Sequence, residues 1–371
     1  MVIFLLATLV YPFLYKLIYW NEQITDLPVA VVDLSSSPES REFVHKWDAS
    51  PDVRVAYRCC SMAEAEDLLR RQKVHGIIYF PRDFAAQLAD PWGQAHVSLY
   101  CDMSSFLYMK GLYLSCNQVM LEGMRNIQID RYEQMGYDKE FAWALVQDAP
   151  YTETALFNPV GGYGSFLIPA VLMLILHQTL FFGICMRSGT AYELRRDTTR
   201  IGKSAAAYFI IYYPLAAILL LGLPRLFNLP HIGNVADILL FMVPYLLATI
   251  FFAIAVGTCM RNRESGMVLL ISTSLIFLFL AGISWPKEMM PGEWVALANI
   301  IPYTAGANGF LHLNSMGATL YDTRREYLTL WILAAAYYLL AYLIIAARKY
   351  KTLRRLRPSE LPRSEGLQQK Q

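Results

Sequence analysis

Residues 164–186 read GSFLIPAVLMLILHQTLFFGICM, a run without a single charged side chain. A helix needs about 20 predominantly apolar residues to cross the hydrocarbon core of a bilayer, so this stretch predicts a membrane span. Five other stretches have a similar length and character: 2–20, 203–223, 236–260, 266–285 and 327–347. The sequence therefore predicts a polytopic α-helical membrane protein with six spans.

The composition agrees with a membrane protein. Of the 371 residues, 56% are apolar and 17% are charged, and the mean hydropathy is +0.32. A soluble domain has about 25% charged residues, so the composition excludes a simple soluble enzyme. The first apolar run is followed by Trp20-Asn21-Glu22-Gln23 rather than by a small-residue cleavage site, which indicates an uncleaved anchor.

Basic residues orient the predicted bundle. They gather after the second span, between the fourth and fifth spans, and after the sixth. With six spans these regions share one side, which the positive-inside rule assigns to the cytoplasm. Residues 21–163 would then be external, and they carry 12 Lys and Arg against 20 Asp and Glu.

The external stretch has the pattern of an α/β domain. Short apolar runs at 28–33 (PVAVVD), 52–57, 76–80 (GIIYF) and 96–101 predict strands, and helical patterns lie between them. Such alternation favours a largely parallel sheet. Ser61 is expected to cap a helix in a capping box with Glu64, and Pro81 to begin a short helix. Residues 104–148 read as helical, with a break near Gly136.

The predicted domains are therefore the first span at 1–20, the external α/β domain at 21–163, a five-span domain at 164–347 and a basic cytoplasmic tail at 348–371. Within the five-span domain, 286–326 is predicted to be an outer interfacial or re-entrant segment. Pro286, Pro291 and Pro302 interrupt it. Trp285, Trp294 and Tyr303 are residue types enriched at membrane interfaces.

Several local stretches occur in a specific order and spacing. They are LPVAVVD (27–33) with Ser40-Arg41, GIIYFPRDF (76–84), FNPVGGYGSFLIPA (157–170) followed by Gln178, GISWP (282–286) and IPYT (301–304). Together with the layout of one span, a large external domain and five more spans, they resemble the permease subunits of ABC-2 type ATP-binding cassette transporters, in the bacterial exporter branch. Members usually carry an amphipathic segment before span one, whereas Met1 already lies inside the predicted span; whether the native chain starts upstream stays open.

The resemblance implies a non-catalytic permease subunit of an exporter in the bacterial inner membrane. The sequence does not identify the substrate: the Phe- and Tyr-rich spans suit an amphiphilic or lipid-like one, but aromatic residues are common in any bundle interior. ATP and Mg would bind in a separate nucleotide-binding subunit. Further partners would be a second permease, as a homodimer or heterodimer, and a periplasmic adaptor. Gly202-Lys203-Ser204 looks like the end of a phosphate-binding loop, but Asp197 stands where that motif requires glycine. No strand is predicted before it either, so no ATP site is expected in this chain.

The stretch 191–199 (AYELRRDTT) is the predicted coupling site to the ATPase subunit. Glu193 and Asp197 are spaced i and i+4, so they share one side of a helical turn, and Arg195 and Arg196 flank it. Mixed charge of this kind suits docking into a complementary cleft. In the resembling family, the loop after the second span contacts the ATPase. The alternative interpretation is that this loop is only a topology signal.

Two further sites are predicted. Gly161, Gly162 and Gly164 join the external domain to span two, and a hinge and an inert linker are equally favoured. His177 and Gln178 lie inside a predicted span, where a polar or ionisable residue is a functional candidate by default. Structural hydrogen bonding between helices is the favoured alternative for this pair.

No catalytic set and no metal-ligand spacing occurs in the sequence. A disulfide among Cys59, Cys60, Cys101 and Cys116 stays open, because these residues would be external. The alternative function is a membrane-anchored receptor or sensor whose 21–163 domain binds an external ligand. One membrane anchor would suffice for a receptor or sensor. Co-purification with a soluble ATPase would favour the permease over this alternative.

Overall fold

The computed structural model of the chain describes residues 2–19, 24–90, 95–146, 157–158, 162–190, 198–260 and 263–356. The chain divides into two units, one of Gln23–Glu153 and the other of Met1–Glu22 with Thr154–Gln371. Helix α1 (Val2–Ile18) belongs to the second unit and lies where the first span is predicted.

The Gln23–Glu153 unit is built on a four-stranded sheet. Its elements in chain order are β1 (Leu27–Asp33), α2 (Pro38–Asp48), β2 (Val53–Cys59), α3 (Met62–Arg70), β3 (Gly76–Phe80), α4 (Phe84–Ala89), β4 (Ser98–Cys101), α5 (Phe106–Gln134) and α6 (Lys139–Val146). The strand order is β2-β1-β3-β4. β1 pairs in parallel with β2 and β3, and β4 runs antiparallel to β3. The largely parallel sheet is thus confirmed, and the external location of this unit stays a prediction.

Both faces of the sheet are covered, which explains why the central strand β1 is apolar on both sides. On one face, Val29 and Val31 pack in a core with residues of α2, α4 and α5, including Phe43 and Trp47. On the other face, a smaller core joins Ala30 and Val32 of β1 to residues of β3 and α3. The run PVAVVD therefore has the composition of a strand buried from both sides.

The helix caps in this unit agree only in part with those predicted from the sequence. Ser61 caps α3, since its Oγ accepts the Glu64 backbone N–H at 3.3 Å. The Glu64 carboxylate accepts instead from the backbone N–H of Cys60, one residue before the cap. A complete capping box is found at Ser37, where Ser40 supplies the reciprocal bond.

Two expectations for helix boundaries had different outcomes. The short helix expected at Pro81 begins at Phe84 instead, because Pro81–Asp83 form a turn in which the Pro81 carbonyl accepts the Phe84 N–H. The break near Gly136 is confirmed, and this glycine has a φ of +92° between α5 and α6.

The second unit is helical. After α1 it contains α7 (Tyr163–Thr190), α8 (Thr199–Ala217), a π-helical turn (Ile218–Gly222), α9 (Leu223–Leu226), α10 (Val235–Cys259), α11 (Arg263–Leu280), a 3₁₀ turn (Lys287–Met289), α12 (Gly292–Ile300), α13 (Pro302–Met316) and α14 (Arg324–Leu356). Within the described residues, four helical stretches are long and apolar enough to span a membrane: Tyr163–Arg187, Thr199–Leu226, Val235–Cys259 and Arg324–Tyr350. They coincide with four of the predicted spans, and the spans at 2–20 and 266–285 stay predictions.

The fifth predicted span ends earlier than expected. α11 stops at Leu280, five residues before position 285, because Gly282 takes a φ of +83° and turns the chain. A left-handed residue just after a helix is a common helix stop, and glycine adopts it without steric strain. α14, in contrast, continues beyond position 347 to Leu356.

α13 is an interior helix, although it belongs to the segment predicted to be interfacial or re-entrant. Tyr303, expected at the membrane interface, has no exposed surface. The helix approaches α10 closely through two glycines: a Cβ at Gly306 would lie 2.3 Å from the Tyr245 ring, and one at Gly309 would lie 2.3 Å from Phe241. Small residues at such contacts let two helices pack closely inside a membrane protein.

Candidate functional site

The predicted coupling residues Glu193, Arg195, Arg196 and Asp197 lie outside the described residues, which resume at Thr198 after α7 ends at Thr190. Their role as a docking surface stays a prediction.

Of the predicted hinge glycines, Gly161 lies outside the described residues, and Gly162 and Gly164 are buried. The Gly162 carbonyl accepts the backbone N–H of Phe166 at 3.3 Å and the side-chain amide of Asn158 at 2.9 Å. Gly162 therefore lies at the start of α7, where it accepts a bond of the first helical turn. Neither described glycine has a positive φ, and the hinge stays a prediction.

His177 lies at the meeting point of four helices. It has no exposed surface, and its Nδ1 is 3.3 Å from Oγ1 of Thr249 in α10. Four aromatic rings surround the imidazole, with ring centroids 5.6–6.1 Å away; they are Phe181 of α7, Phe252 of α10, Phe277 of α11 and Tyr303 of α13. A single polar side chain of α7 thus has neighbours on three other helices.

Gln178 has a different environment from its neighbour. It is buried, yet neither its amide nitrogen nor its amide oxygen has a hydrogen-bond partner among the described residues. Leu167, Val171 and Ile175 form a cluster with tyrosines at the end of α1. Because Gln178 follows Ile175 by three residues, it lies on the same face of α7, toward α1.

Two buried tyrosines bond to the backbone of α7, one and two turns before this pair. The hydroxyl of Tyr245 in α10 donates to the Met173 carbonyl at 2.7 Å. The hydroxyl of Tyr303 in α13 donates to the Ala170 carbonyl at 3.3 Å. Neither contact follows from local sequence, because the partners lie far apart along the chain. Helix α7 therefore accepts hydrogen bonds from tyrosines of both α10 and α13.

A family model described as ABC-2 family transporter protein matches residues 1–343. The chain belongs to the ABC-2 transporter family. A search of curated proteins gave no significant match. Members of the ABC-2 family are non-catalytic, multi-pass membrane components, and they normally work with a nucleotide-binding subunit.

In this ABC-2 transporter chain, the loop between α9 and α10 is fixed to the end of α13. Asn314 is fully buried, and its carbonyl accepts the backbone N–H groups of Ile232 at 2.9 Å and Gly233 at 3.3 Å. Its side-chain amide donates to the Pro230 carbonyl at 3.2 Å, and its Oδ1 lies 2.5 Å from Nδ1 of His231. One asparagine thus connects two segments about 80 residues apart, a contact that the sequence did not indicate.

The opposite end of α10 is held by a basic residue. The guanidinium of Arg348, in α14, donates to the carbonyl of Thr258 near the last turn of α10. A cation at the C-terminus of a helix also interacts favourably with the helix dipole. Arg348, interpreted as the first residue of a basic tail, therefore has a structural contact inside the ABC-2 helical unit.

In the sheet-containing unit of the ABC-2 chain, His75 and Asp102 form a partly exposed pair. Hydrogen bonds from Ser104, and more weakly the neighbouring His75, lower the pKa of Asp102. His75 Nδ1 is 3.4 Å from the Asp102 carboxylate. All six cysteines are free thiols, and burial raises the pKa of Cys116 to about 12. The described residues contain no cluster of three or more side chains suited to a metal ion.

Proposed function

We propose that this chain is the permease subunit of an ATP-binding cassette exporter in the bacterial inner membrane. ATP and Mg would bind in a separate subunit, and two permease chains, identical or related, would form the complete translocation path. The observation that carries the proposal is the family match over residues 1–343. The four apolar helices of spanning length are consistent with it.

The substrate class is proposed to be amphiphilic or lipid-like. Gln178 supports this, because its side chain is buried and neither its amide nitrogen nor its amide oxygen has a hydrogen-bond partner among the described residues. An unsatisfied buried polar group costs about 1–3 kcal/mol, so retaining two at one residue is disfavoured unless another molecule bonds to them. The polar part of an amphiphile is such a partner.

Substitution of Gln178 by leucine tests this role. Gln178→Leu removes the unsatisfied amide at similar size, so we expect unchanged or higher stability together with reduced transport by the reconstituted complex. The control is Thr329→Val in α14, whose hydroxyl donates to the Arg325 carbonyl at 2.8 Å, one turn earlier in the same helix. Full transport by Gln178→Leu would remove the proposed substrate contact without affecting the permease assignment.

Energy is proposed to enter through the stretch 191–199. This stretch follows α7 in the chain, and α7 accepts hydrogen bonds from tyrosines of α10 and α13. A displacement of the loop by the ATPase would therefore be passed along α7 to the helices around His177. Rigid-body movement of packed helices between two arrangements is a common form of such switching.

The coupling test is a double charge reversal, Glu193→Arg with Arg196→Glu. We expect weaker ATPase binding and transport with normal membrane insertion, because truncating or reversing charges buried at an interface costs about 2–5 kcal/mol. Arg354→Glu near the C-terminus is the control. If both variants bind the ATPase like the native chain, the loop is only a topology signal.

The proposed topology places 21–163 outside and the C-terminus in the cytoplasm, where a periplasmic adaptor and the ATPase would meet opposite sides of the chain. A cysteine introduced at Asp90 should react with an impermeant thiol reagent on intact cells, after Cys60 is removed to lower the background. A cysteine introduced at Ser359 should react only after lysis. The reverse pattern would overturn the orientation.

A further inference from the structure

The sheet of the Gln23–Glu153 unit has two edges of different character. β2 forms one edge and β4 the other, and among the described residues no strand pairs with the outer side of β4. The N–H and C=O groups along an open edge can pair with a strand of another chain, so natural sheets either protect such an edge or use it. The side chains on each edge indicate which of the two applies.

The β2 edge is protected. Arg54 and Arg58 are exposed charged residues on this strand, and its pairing with β1 has one register shift, as at a β-bulge. The backbone N–H of Val55 is bonded to the Asp48 carboxylate at 2.9 Å, so it is not available to another strand. Charged side chains and bulges are features by which natural sheets prevent association edge to edge.

The β4 edge lacks this protection in the part of the chain that the structure describes. The stretch 95–101 (AHVSLYC), which ends in β4, contains no Pro, Lys, Arg, Asp or Glu, and the pairing of β4 with β3 has no register shift. On the other face from the core, His96 and Tyr100 are exposed. The alternate residues pack against the core that includes α5; they are Ala95, Val97, Leu99 and Cys101.

Two β4 strands are complementary to each other when they pair antiparallel about a two-fold axis at Leu99. In this register Val97 lies opposite Cys101 of the second copy, and Ser98 lies opposite Tyr100, so each face of the joined sheet keeps its character. A shift by one residue would place the apolar side chains of one strand on the polar face of the other. The alternation therefore favours this register over its immediate neighbours.

The same register brings opposite charges together at both ends of the pair. His96 lies opposite Asp102 of the second copy, and the two-fold axis repeats this contact. Asp102 continues the pairing of β4, because its N–H donates to the His75 carbonyl at 2.9 Å. A carboxylate opposite an imidazole stabilises a strand pair, whereas like charges in those positions destabilise it.

We propose that β4 is the surface through which the sheet unit binds a second copy of this chain, joining the two sheets edge to edge. The same patch of both copies is buried, as two-fold symmetry requires. Met103 and Phe106, which follow the strand, are 71% and 69% exposed and would be partly covered. The proposal rests on the two-chain assembly proposed above and adds the surface that joins the sheet units, on whichever side of the membrane they lie.

The test is cysteine cross-linking of the full chain in its native membranes. In a background in which Cys60, Cys101 and Cys259 are replaced by serine, Leu99→Cys is oxidised with copper phenanthroline. Two thiols lose two protons and two electrons to this oxidant as the S–S bond forms. Residues directly opposite in a strand pair have Cβ atoms about 4.5–5.5 Å apart, so we expect a cross-linked dimer on non-reducing electrophoresis.

His96→Cys is the matched control, because this position is more exposed than Leu99. Its two copies would lie six residues apart along the strands, about 20 Å, so it should not cross-link to itself. Tyr57→Cys, exposed on β2, should not cross-link either. Equal cross-linking at all three positions, or none at Leu99, would overturn the proposal. Chains that still co-purify without this cross-link would leave the permease assignment intact.

Two further variants test the register. His96→Asp, added to Leu99→Cys, places carboxylates opposite each other and should lower the rate of cross-linking by about twofold to fivefold. His96→Lys keeps opposite charges together and should not lower the rate. An unchanged rate in His96→Asp would contradict the contact between His96 and Asp102. Cross-linking at Leu99 to a different protein would overturn the proposal as well.

Discussion

The close contact of α13 with α10 gives a quantitative prediction for Gly306→Ala. The added Cβ would lie 2.3 Å from Cδ2 and Cε2 of Tyr245, whereas ordinary contacts are 3.4 Å or longer. The ring or the helix must therefore move by about 1 Å. The ring is fully buried and its hydroxyl is bonded to the Met173 carbonyl, so movement would strain or break that bond.

The magnitude follows from three contributions. Overpacking a well-packed interior costs about 1–3 kcal/mol, and a hydrogen bond between membrane helices contributes about 0.6–1.7 kcal/mol. Alanine favours a helix over glycine by about 0.8–1.0 kcal/mol, which offsets part of the loss. We expect Gly306→Ala to lower the free energy of unfolding by about 1–3 kcal/mol.

The assay is unfolding of the purified chain by a denaturing detergent, followed for α13 through protection of its backbone amides. Gly183→Ala is the matched control, because nothing lies within 4 Å of a Cβ at Gly183, also inside a long apolar helix. This control should be neutral or slightly stabilising.

A double-mutant cycle with Tyr245→Ala identifies the cause. If the ring is the obstacle, Gly306→Ala should cost little once the ring is gone, and the two changes should be non-additive by about 1–3 kcal/mol. Equal costs of Gly306→Ala in both backgrounds would refute the reasoning, as would a loss of the same size in Gly183→Ala.

Three further outcomes are expected. Thr249→Val, which removes the hydroxyl 3.3 Å from the imidazole of α7, should destabilise the helical unit by about 0.6–1.7 kcal/mol in detergent titrations; no change would show that the contact contributes nothing. Because hydrogen bonds from Ser104 lower the pKa of Asp102, its stabilisation should be complete above about pH 4 and lost as the pH falls through its lower folded value. Hydrogen exchange of β4 in the full chain should show this loss, and Asp102→Asn should abolish it. Buried Cys116, whose pKa is raised to about 12 by burial, should alkylate far more slowly than exposed Cys60, and equal rates would contradict the burial.

The sequence was sufficient where a local pattern determines structure. The run PVAVVD is apolar at every position but the last, as expected for a strand covered on both faces, and it forms the central strand. The uncharged stretch at 164–186 forms α7. Both features depend on neighbours along the chain, so composition and the spacing of apolar residues are enough to predict them.

Sequence reasoning failed where the outcome depends on residues far apart. Tyrosine is a residue type enriched at membrane interfaces. Tyr303 nevertheless lies in the interior, because Gly306 and Gly309 let α13 approach α10. The bonds of Asn314 to the loop before α10 have no local signal. The early end of α11 depends on the left-handed conformation of Gly282, whereas the apolar run itself continues to Trp285.

The candidate site was predicted in part. His177 and Gln178 were singled out because polar residues are costly inside a bilayer, and both are buried in the helical unit. Their environments could not be predicted: one has a hydroxyl partner and a cage of aromatic rings, and the other has no partner among the described residues. The role of the stretch 191–199 in coupling stays a prediction.

ATP hydrolysis by the native complex tests the central claim, that this chain is a non-catalytic permease driven by a separate ATPase. The tagged chain is purified from its own membranes in mild detergent, and both the hydrolysis rate and the co-purifying chains are determined. We expect a soluble nucleotide-binding subunit and a rate abolished by replacing the phosphate-loop lysine of that subunit. Lys203→Ala in this chain should leave the rate within a few-fold of the native value. Hydrolysis that persists in the isolated chain and disappears with Lys203→Ala would contradict the account.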